Sequence, residues 1–351
     1  MEWLKDRKQR VVIRGTFSDW ISVLSGVPQG SVLGPILFLV YINNLDYGVR
    51  NWILKFADDT KIFSQVSSPE DYINLQKDLN SLVTWAEECQ MLFNVGKCKV
   101  MQFGRVNKKE IIIRRTKSLR LQVPKRIMGI VITSDLKFSE QCSQAYSKAS
   151  RVLGMIKRTI VYKSADTLVR LYKSLVRPHL EYCTAAWSPH YLKDRKLLEK
   201  IQRRFTRMVP GLQELPYESR LISLKLCTLD HRRVRADLIE LFKMVRGLST
   251  VDVNTFFEFD NTGRTRGHCL KLRKGRVSTD LRQNFFTERV FNTWNQLDSS
   301  VVESESLNIL KSKLQRLHDI DESFLGNNCP IDSEGRASSP GEVSSGELSS
   351  E

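Results

Sequence analysis

The chain has 351 residues, room for two domains at roughly 150 residues each, and its 41% hydrophobic and 27% charged content is ordinary for a soluble globular protein. The unusual quantity is a formal net charge of +16, unevenly placed: eight acids and one base, Arg336, fall from Asp319 onward, leaving 54 bases against 31 acids before it. A folded region that basic commonly faces phosphates, because Lys and Arg neutralise a nucleic-acid backbone and release its counterions; a basic surface kept for solubility, or one facing anionic membrane, is the alternative.

Seven scattered cysteines without a Cys-x-x-Cys pair exclude a disulfide scaffold and a zinc knuckle and point to a reducing compartment. His179 and Cys183, at helical spacing, make half a zinc site at most. The N-terminus lacks the apolar core of a signal peptide, and the longest apolar run, Val32 to Leu45, is too short and too interrupted to span a membrane. The expectation is an intracellular, soluble protein, nuclear or cytoplasmic, with no membrane partner.

In chain order, Val11–Ile13 and Trp20–Leu24 read as two strands around a turn at Gly15–Asp19. The loop Ser25-Gly26-Val27-Pro28-Gln29-Gly30 opens a helix with Pro35 in its first turn, apolar on nearly every side and so expected to be buried. A hairpin follows, Trp52 to Ala57 and Thr60 to Phe63, with its turn at Asp58-Asp59. Ser68 should cap the next helix, with Pro69 at its first position, Asp71 three residues after the cap, and a core stripe of Tyr72, Leu75, Leu79, Leu82 and Ala86. Strands near 99–103, 110–114 and 127–133 complete a mixed α+β unit.

Beyond Ser139 the pattern turns helical. Ala145, Ala149, Val152, Leu153 and Ile156 make one stripe, and Leu168, Tyr172, Leu175 and Val176 a second. Leu197, Leu198, Ile201, Phe205 and Met208 make a third, with Lys196, Lys200, Arg203, Arg204 and Arg207 on the remaining surface. A fourth helix carries Leu238, Leu241, Phe242 and Val245 and stops at Gly247. A basic stretch from Arg264 to Arg276 leads to helical segments near 285–297 and 307–317, and from about 321 the Ser- and acid-rich composition predicts disorder.

Chemistry concentrates in two places. Adjacent carboxylates at a hairpin tip, Asp58 and Asp59, repel one another, and a divalent cation with hard oxygen ligands relieves that cost; a solvated Asp-Asp turn is the alternative. In the preceding loop, Gly26 and Gly30 allow close backbone approach and Gln29 could bond a base edge or sugar, although a plain helix-entry loop reads equally well. The five cations at 196–207, with Glu199 almost the only acid among them, suit phosphate contact; a solvated helix face is the alternative.

In this order and spacing the segments resemble motifs B and C of reverse transcriptases. SGVPQGSVLGPILFL (25–39) followed by KFADDTKIF (55–63) is similar to the LINE class of non-LTR retrotransposons, nearest the jockey and chicken-repeat clades. The likeness continues through Trp85–Asn94 and Lys97–Met101, similar to motif D, through the strands at 128–132, similar to the primer grip, and through LYKSLVRPHLEYC, AAWSPHYLKD and LLEKIQRRFTRMVPGL.

The resemblance implies an α+β fold: a partial reverse-transcriptase palm with motifs B to E (1–135), a thumb-like basic helical region (136–215), a C-terminal helical region (216–320) and an acidic tail (321–351). It implies Mg²⁺ or Mn²⁺ as cofactor, held by Asp58 and Asp59. Lys97 would lie near the leaving phosphate, and Gly26, Pro28, Gln29 and Gly30 would face nucleotide and template. Lys196, Lys200, Arg203, Arg204 and Arg207 would touch the backbone of an RNA template and DNA primer. The family's motif A carboxylate has no match ahead of Ser25, where Asp19 falls in the first hairpin's turn. The expected function is therefore a reverse-transcriptase fragment that binds RNA or DNA but cannot polymerise alone. The alternatives are part of an active RNA-directed DNA polymerase, or a domain recruited for a structural or partner-binding role.

Overall fold

A computed structural model describes residues 5–28, 30–94, 96–104, 120–121, 125–260 and 267–320. The expected strands near 110–114 and the tail from 321 lie outside these. The fold is α+β, with strands confined to two-stranded pairs among the described residues. The chain divides into two compact units, Met1–Val100 with Val106–Gln122, and Met101–Arg105 with Val123–Glu351.

The first unit opens with one hairpin in two stretches: β1 (Lys8–Gln9) pairs with β4 (Ile21–Ser22), and β2 (Val12–Ile13) with β3 (Thr16–Phe17). The turn sits at Arg14-Gly15, both at positive φ (50° and 83°), a left-handed pair that matches strand twist. The return strand thus starts at Thr16, and Asp19 lies on the return arm rather than in the turn.

Helix α1 (Leu33–Ile42) forms as its sequence predicts but is not enclosed: Ile36, Leu37, Leu39, Val40 and Tyr41 are exposed, and only Gly34 and Ile42 are buried. Its far end packs with Leu45 against Leu82, Trp85 and Ala86 of α2 (Pro69–Glu88). An all-round apolar helix needs neighbours on every side, and the described part of this unit supplies them on one. The cap of α2 is as expected: Ser68 Oγ accepts from the Asp71 amide, and the Asp71 carboxylate accepts from the Ser68 amide at 2.7 Å. Of the expected stripe, Leu82 and Ala86 are buried, while Tyr72, Leu75 and Leu79 are half-buried. Strands β5 (Trp52–Phe56) and β6 (Asp59–Phe63) form the second hairpin. Strand β7 (Lys99–Val100) pairs in parallel with β8 (Arg120–Leu121).

The second unit opens with a hairpin where one strand was expected: β9 (Lys125–Ile127) turns at Met128-Gly129, both at positive φ, into β10 (Ile130–Ile132). Helix α3 (Ser139–Thr159) buries Ala145, Ala149, Leu153 and Ile156, four of the five predicted positions. Next come α4 (Ala165–Leu171), a π-helical turn (Tyr172–Val176) and α5 (Arg177–Glu181). The buried positions are Leu168, Tyr172, Val176 and Leu180, whereas Leu175 is 43% exposed. Pro178 cannot bond back into the helix and would clash with the carbonyl four residues earlier; the widened turn accommodates it and moves the buried face by one residue. Because α5 ends at Glu181 and Cys183 takes φ 56°, His179 and Cys183 are not on one helix.

Helix α6 (Leu192–Met208) is the pillar of this unit: Leu198, Ile201 and Phe205 are buried, and Phe205 stacks on Tyr172 at 4.2 Å between ring centroids. Helix α7 (Tyr217–Leu224) closes that core, and α8 (Leu229–Val245) begins the next. Four short helices follow, α9 (Asp280–Gln283), α10 (Phe286–Arg289), α11 (Phe291–Asn295) and α12 (Ser299–Val302), with α10 and α11 replacing the single segment expected at 285–297, and α13 (Leu307–Ile320) ends the described chain. Arg289 pins them to α8: its guanidinium donates to both Asp237 oxygens, at 2.7 and 2.9 Å, and to the carbonyl of Thr184 at 2.8 Å.

Candidate functional site

The carboxylate pair stands on a braced hairpin. Strand β5 pairs with β6 in register from Trp52↔Phe63 to Phe56↔Asp59. The two turn residues are therefore Ala57, at φ 49°, and Asp58, while Asp59 is the first residue of β6 rather than part of the turn. The base is held twice. The buried Asp78 of α2 accepts from the Arg50 and Asn51 amides, at 3.0 and 2.8 Å, fixing the chain as it enters β5. Lys55 donates to the Asn43 carbonyl at 2.7 Å and to Asp46 at 2.8 Å, and its bond holds the Asp46 carboxyl below the usual carboxylate range. Asp78 carried no sequence signal, since an acid on a helix is expected at the surface.

Asp58 and Asp59 are both exposed, and neither side chain forms a hydrogen bond or ion pair among the described residues. Lys97 is exposed in a turn whose amide donates to the Asn94 carbonyl at 2.9 Å, and no ion pair joins it to either aspartate. Two uncompensated carboxylates are a partial ligand set for a hard divalent cation, which usually takes one or two carboxylates and completes its shell with phosphate oxygens and water. Among the described residues no group of three or more acids, histidines and cysteines could hold a metal ion.

The loop ahead of α1 is shaped by its glycines. Gly26 and Gly30 take φ 81° and 84° with open space where a Cβ would be, so they are there for conformation. Gly34 is there for closeness: a Cβ would meet Ser31 Oγ at 3.0 Å and the Pro28 carbonyl at 3.2 Å. Arg7 donates to the Gly26 carbonyl at 2.6 Å, and Ser31 Oγ accepts from the Gly34 amide at 2.9 Å, capping the first turn. Pro28 is half-buried, and Gln29 lies outside the described residues.

On α6 all five predicted cations, Lys196, Lys200, Arg203, Arg204 and Arg207, are exposed, but they divide between two grooves. Arg204 and Arg207 join Lys157 and Lys163 around a groove of about 370 Å³ over Leu153 and Gly154 of α3, with no acid in its lining. Arg204 also donates to Ser150 at 2.9 Å. Lys196, Lys200 and Arg203 face a groove of about 530 Å³ towards α7 and α8, shared with Glu199, Glu218 and Asp230. Glu199 is turned inward, accepting from the Tyr217 hydroxyl and from the Leu229 amide at 3.0 Å, and burial pushes its carboxyl above the usual range. In the purely basic groove no carboxylate competes for the four cations. Lys157 and Lys163 went unnoticed in the sequence because only folding brings them beside α6. No helix among the described residues is long and apolar enough to cross a membrane.

Comparison with known proteins agrees with the motifs. Residues 2–156 match the family described as reverse transcriptase (RNA-dependent DNA polymerase). The chain is 25% identical over 221 residues to the RNA-directed DNA polymerase from mobile element jockey of Drosophila melanogaster, covering 58% of this chain and 24% of the relative. It is 24% identical over 250 residues to the jockey polymerase of Drosophila funebris (68% and 27%). A probable RNA-directed DNA polymerase from transposon X-element of Drosophila melanogaster is 22% identical over 229 residues (60% and 24%). The chain thus spans about a quarter of the length of the curated relatives it matches. No solved structure matches it. From its motifs and these relatives together, residues 2–156 match the reverse-transcriptase family, and the chain is similar to the RNA-directed DNA polymerases of LINE-type non-LTR mobile elements.

Proposed function

We propose that residues 1–351 supply the Asp58-Asp59 metal-binding hairpin and the nucleic-acid-binding helices of an RNA-directed DNA polymerase, and that by themselves they bind RNA or DNA without extending a primer. The observation that carries this reading is the pair of exposed, unpartnered carboxylates at the tip of a braced hairpin inside the matched region. When bound, Mg²⁺ or Mn²⁺ would lower the charge on the reacting phosphoryl group and activate the primer hydroxyl. Asp58 and Asp59 would hold that ion, and the rigid base fixes where the two carboxylates stand. Gly26, Pro28, Gln29 and Gly30 would face the nucleotide and template, and Lys97 the leaving phosphate. Among the described residues two carboxylates stand together here and no group of three does, so extension would need a further carboxylate brought to this pair. In this reading 1–135 is a partial palm, 136–215 a thumb-like region and 216–320 a C-terminal helical region.

The binding half of the proposal is tested by titrating a fluorescent RNA–DNA primer–template against the protein at several salt concentrations. Binding should weaken steeply with salt, by about 0.9 log units per tenfold salt for each phosphate neutralised. Arg204→Gln/Arg207→Gln should lower that slope by about 2. A salt-independent or absent affinity would refute it.

A further inference from the structure

Among the described residues of the second unit, Arg233 and Arg235 leave some guanidinium nitrogens unpartnered, but each donates to at least one acceptor. Arg233 and Arg195 bond Asp230 at 3.0 and 3.1 Å, Arg232 bonds Glu181, and Arg289 bonds Asp237. Arg220 of α7 is 2% exposed, yet its Nε and Nη1 have no hydrogen-bond partner and it forms no ion pair. A buried guanidinium without an acceptor is costly, so the chain carries a cation here without the carboxylate it supplies elsewhere.

Its surroundings are cationic. Arg203 and Arg220 both lie over the Tyr217 ring, their Cζ atoms 4.1 and 5.6 Å from its centroid. Arg207, one turn beyond Arg203 on α6, and Arg203 itself both add positive potential at Arg220. Burial, then Arg207 and Arg203, hold its guanidinium below the usual arginine range, against opposing pulls from Tyr217 and the exposed Glu218. Planar guanidinium forks present donor geometry that suits phosphate oxygens.

We propose that Arg220, with Arg203 beside it over the Tyr217 ring, forms a phosphate-binding site at the junction of α6 and α7 that takes one backbone phosphate of a bound nucleic acid. This rests on the nucleic-acid-binding reading above and adds a residue that the basic stripe of α6 did not contain. The acceptor missing from the fold then comes from the ligand, and the site stays strained until it is filled.

The test uses the full chain, a short labelled single-stranded RNA titrated at several salt concentrations, and melting curves with and without inorganic phosphate. Arg220→Met should weaken RNA binding about tenfold, as expected for one lost charge-assisted contact. It should also lower the salt slope by about 0.7, while the Tm of the free protein rises or holds. Arg220→Lys, which keeps the charge but not the fork, should keep the slope and still lose affinity. It serves alone should the Met variant fail to fold. A lower Tm with RNA binding unchanged in Arg220→Met, or full affinity in Arg220→Lys, would make Arg220 a structural residue and overturn the site. A Tm rise with inorganic phosphate in the parent protein, lost in Arg220→Met but without any effect on RNA affinity, would overturn the nucleic-acid source. An affinity absent in the parent protein itself would instead refute the broader binding function.

Discussion

Asp78 and Glu199 are carboxylates turned inward on helices, and each organises a neighbour that carries the candidate chemistry. Asp78 receives two consecutive backbone amides at the entrance to β5. Asp78→Ala would leave two part-buried backbone amides and the Asn51 side-chain amide without this acceptor, a loss of about 2–4 kcal/mol at 1–3 kcal/mol for each unsatisfied group, reduced by water entry. Urea unfolding of that variant beside Asp58→Asn/Asp59→Asn separates the roles. The tip variant should unfold within about 0.5 kcal/mol of the parent, because exposed and unpartnered side chains contribute little.

Glu199 makes a pH-dependent contribution to stability. Its folded carboxyl titrates above its unfolded value because burial disfavours the charge. That contribution is therefore fully present below the unfolded pKa and is lost as pH rises through the folded one. Glu199→Gln should destabilise the protein more at acid than at neutral pH, read from unfolding midpoints across the two conditions. An equal or reversed difference would contradict the assignment.

At the scale of the element, the π-helical turn before Pro178 decides which residues are core. Leu180→Ala should cost about 2–5 kcal/mol as a fully buried leucine, whereas Leu175→Ala should cost under 1 kcal/mol. Equal losses in denaturant unfolding would contradict the shifted register. The sequence showed Leu168, Tyr172 and Val176 as a stripe, and it showed Pro178, but plain 3.6-residue periodicity also places Leu175 inside. Only the widened turn removes it. Other elements were legible for identifiable reasons. Ser68-Pro69 with Asp71 is a local signal that tertiary packing does not override, and the α3 and α6 stripes have one wet and one dry face. The two positive-φ turns at Arg14-Gly15 and Met128-Gly129 were misplaced because Arg and Met give no hint of left-handed backbone.

At the scale of the whole molecule, the sequence made the carboxylate pair and the basic α6 readable, but not their surroundings. Bracing by Asp78 and Lys55, the division of the α6 cations between two grooves, and Lys157 and Lys163 beside Arg204 all depend on contacts distant in sequence. Helix α1 shows the opposite limit, since its composition demands burial that the described residues do not provide. Val40→Lys, at a position 71% exposed, should therefore change stability by less than about 0.5 kcal/mol, a value that burial of α1 in this chain would not allow.

The most direct measurement is primer extension on an RNA template with Mg²⁺ or Mn²⁺, run beside Asp58→Ala/Asp59→Ala with template binding recorded on the same preparations. The account predicts salt-sensitive binding by both proteins and extension by neither. Extension by the parent chain that disappears in the double variant would contradict it, by showing that residues 1–351 hold the metals and perform the transfer unaided.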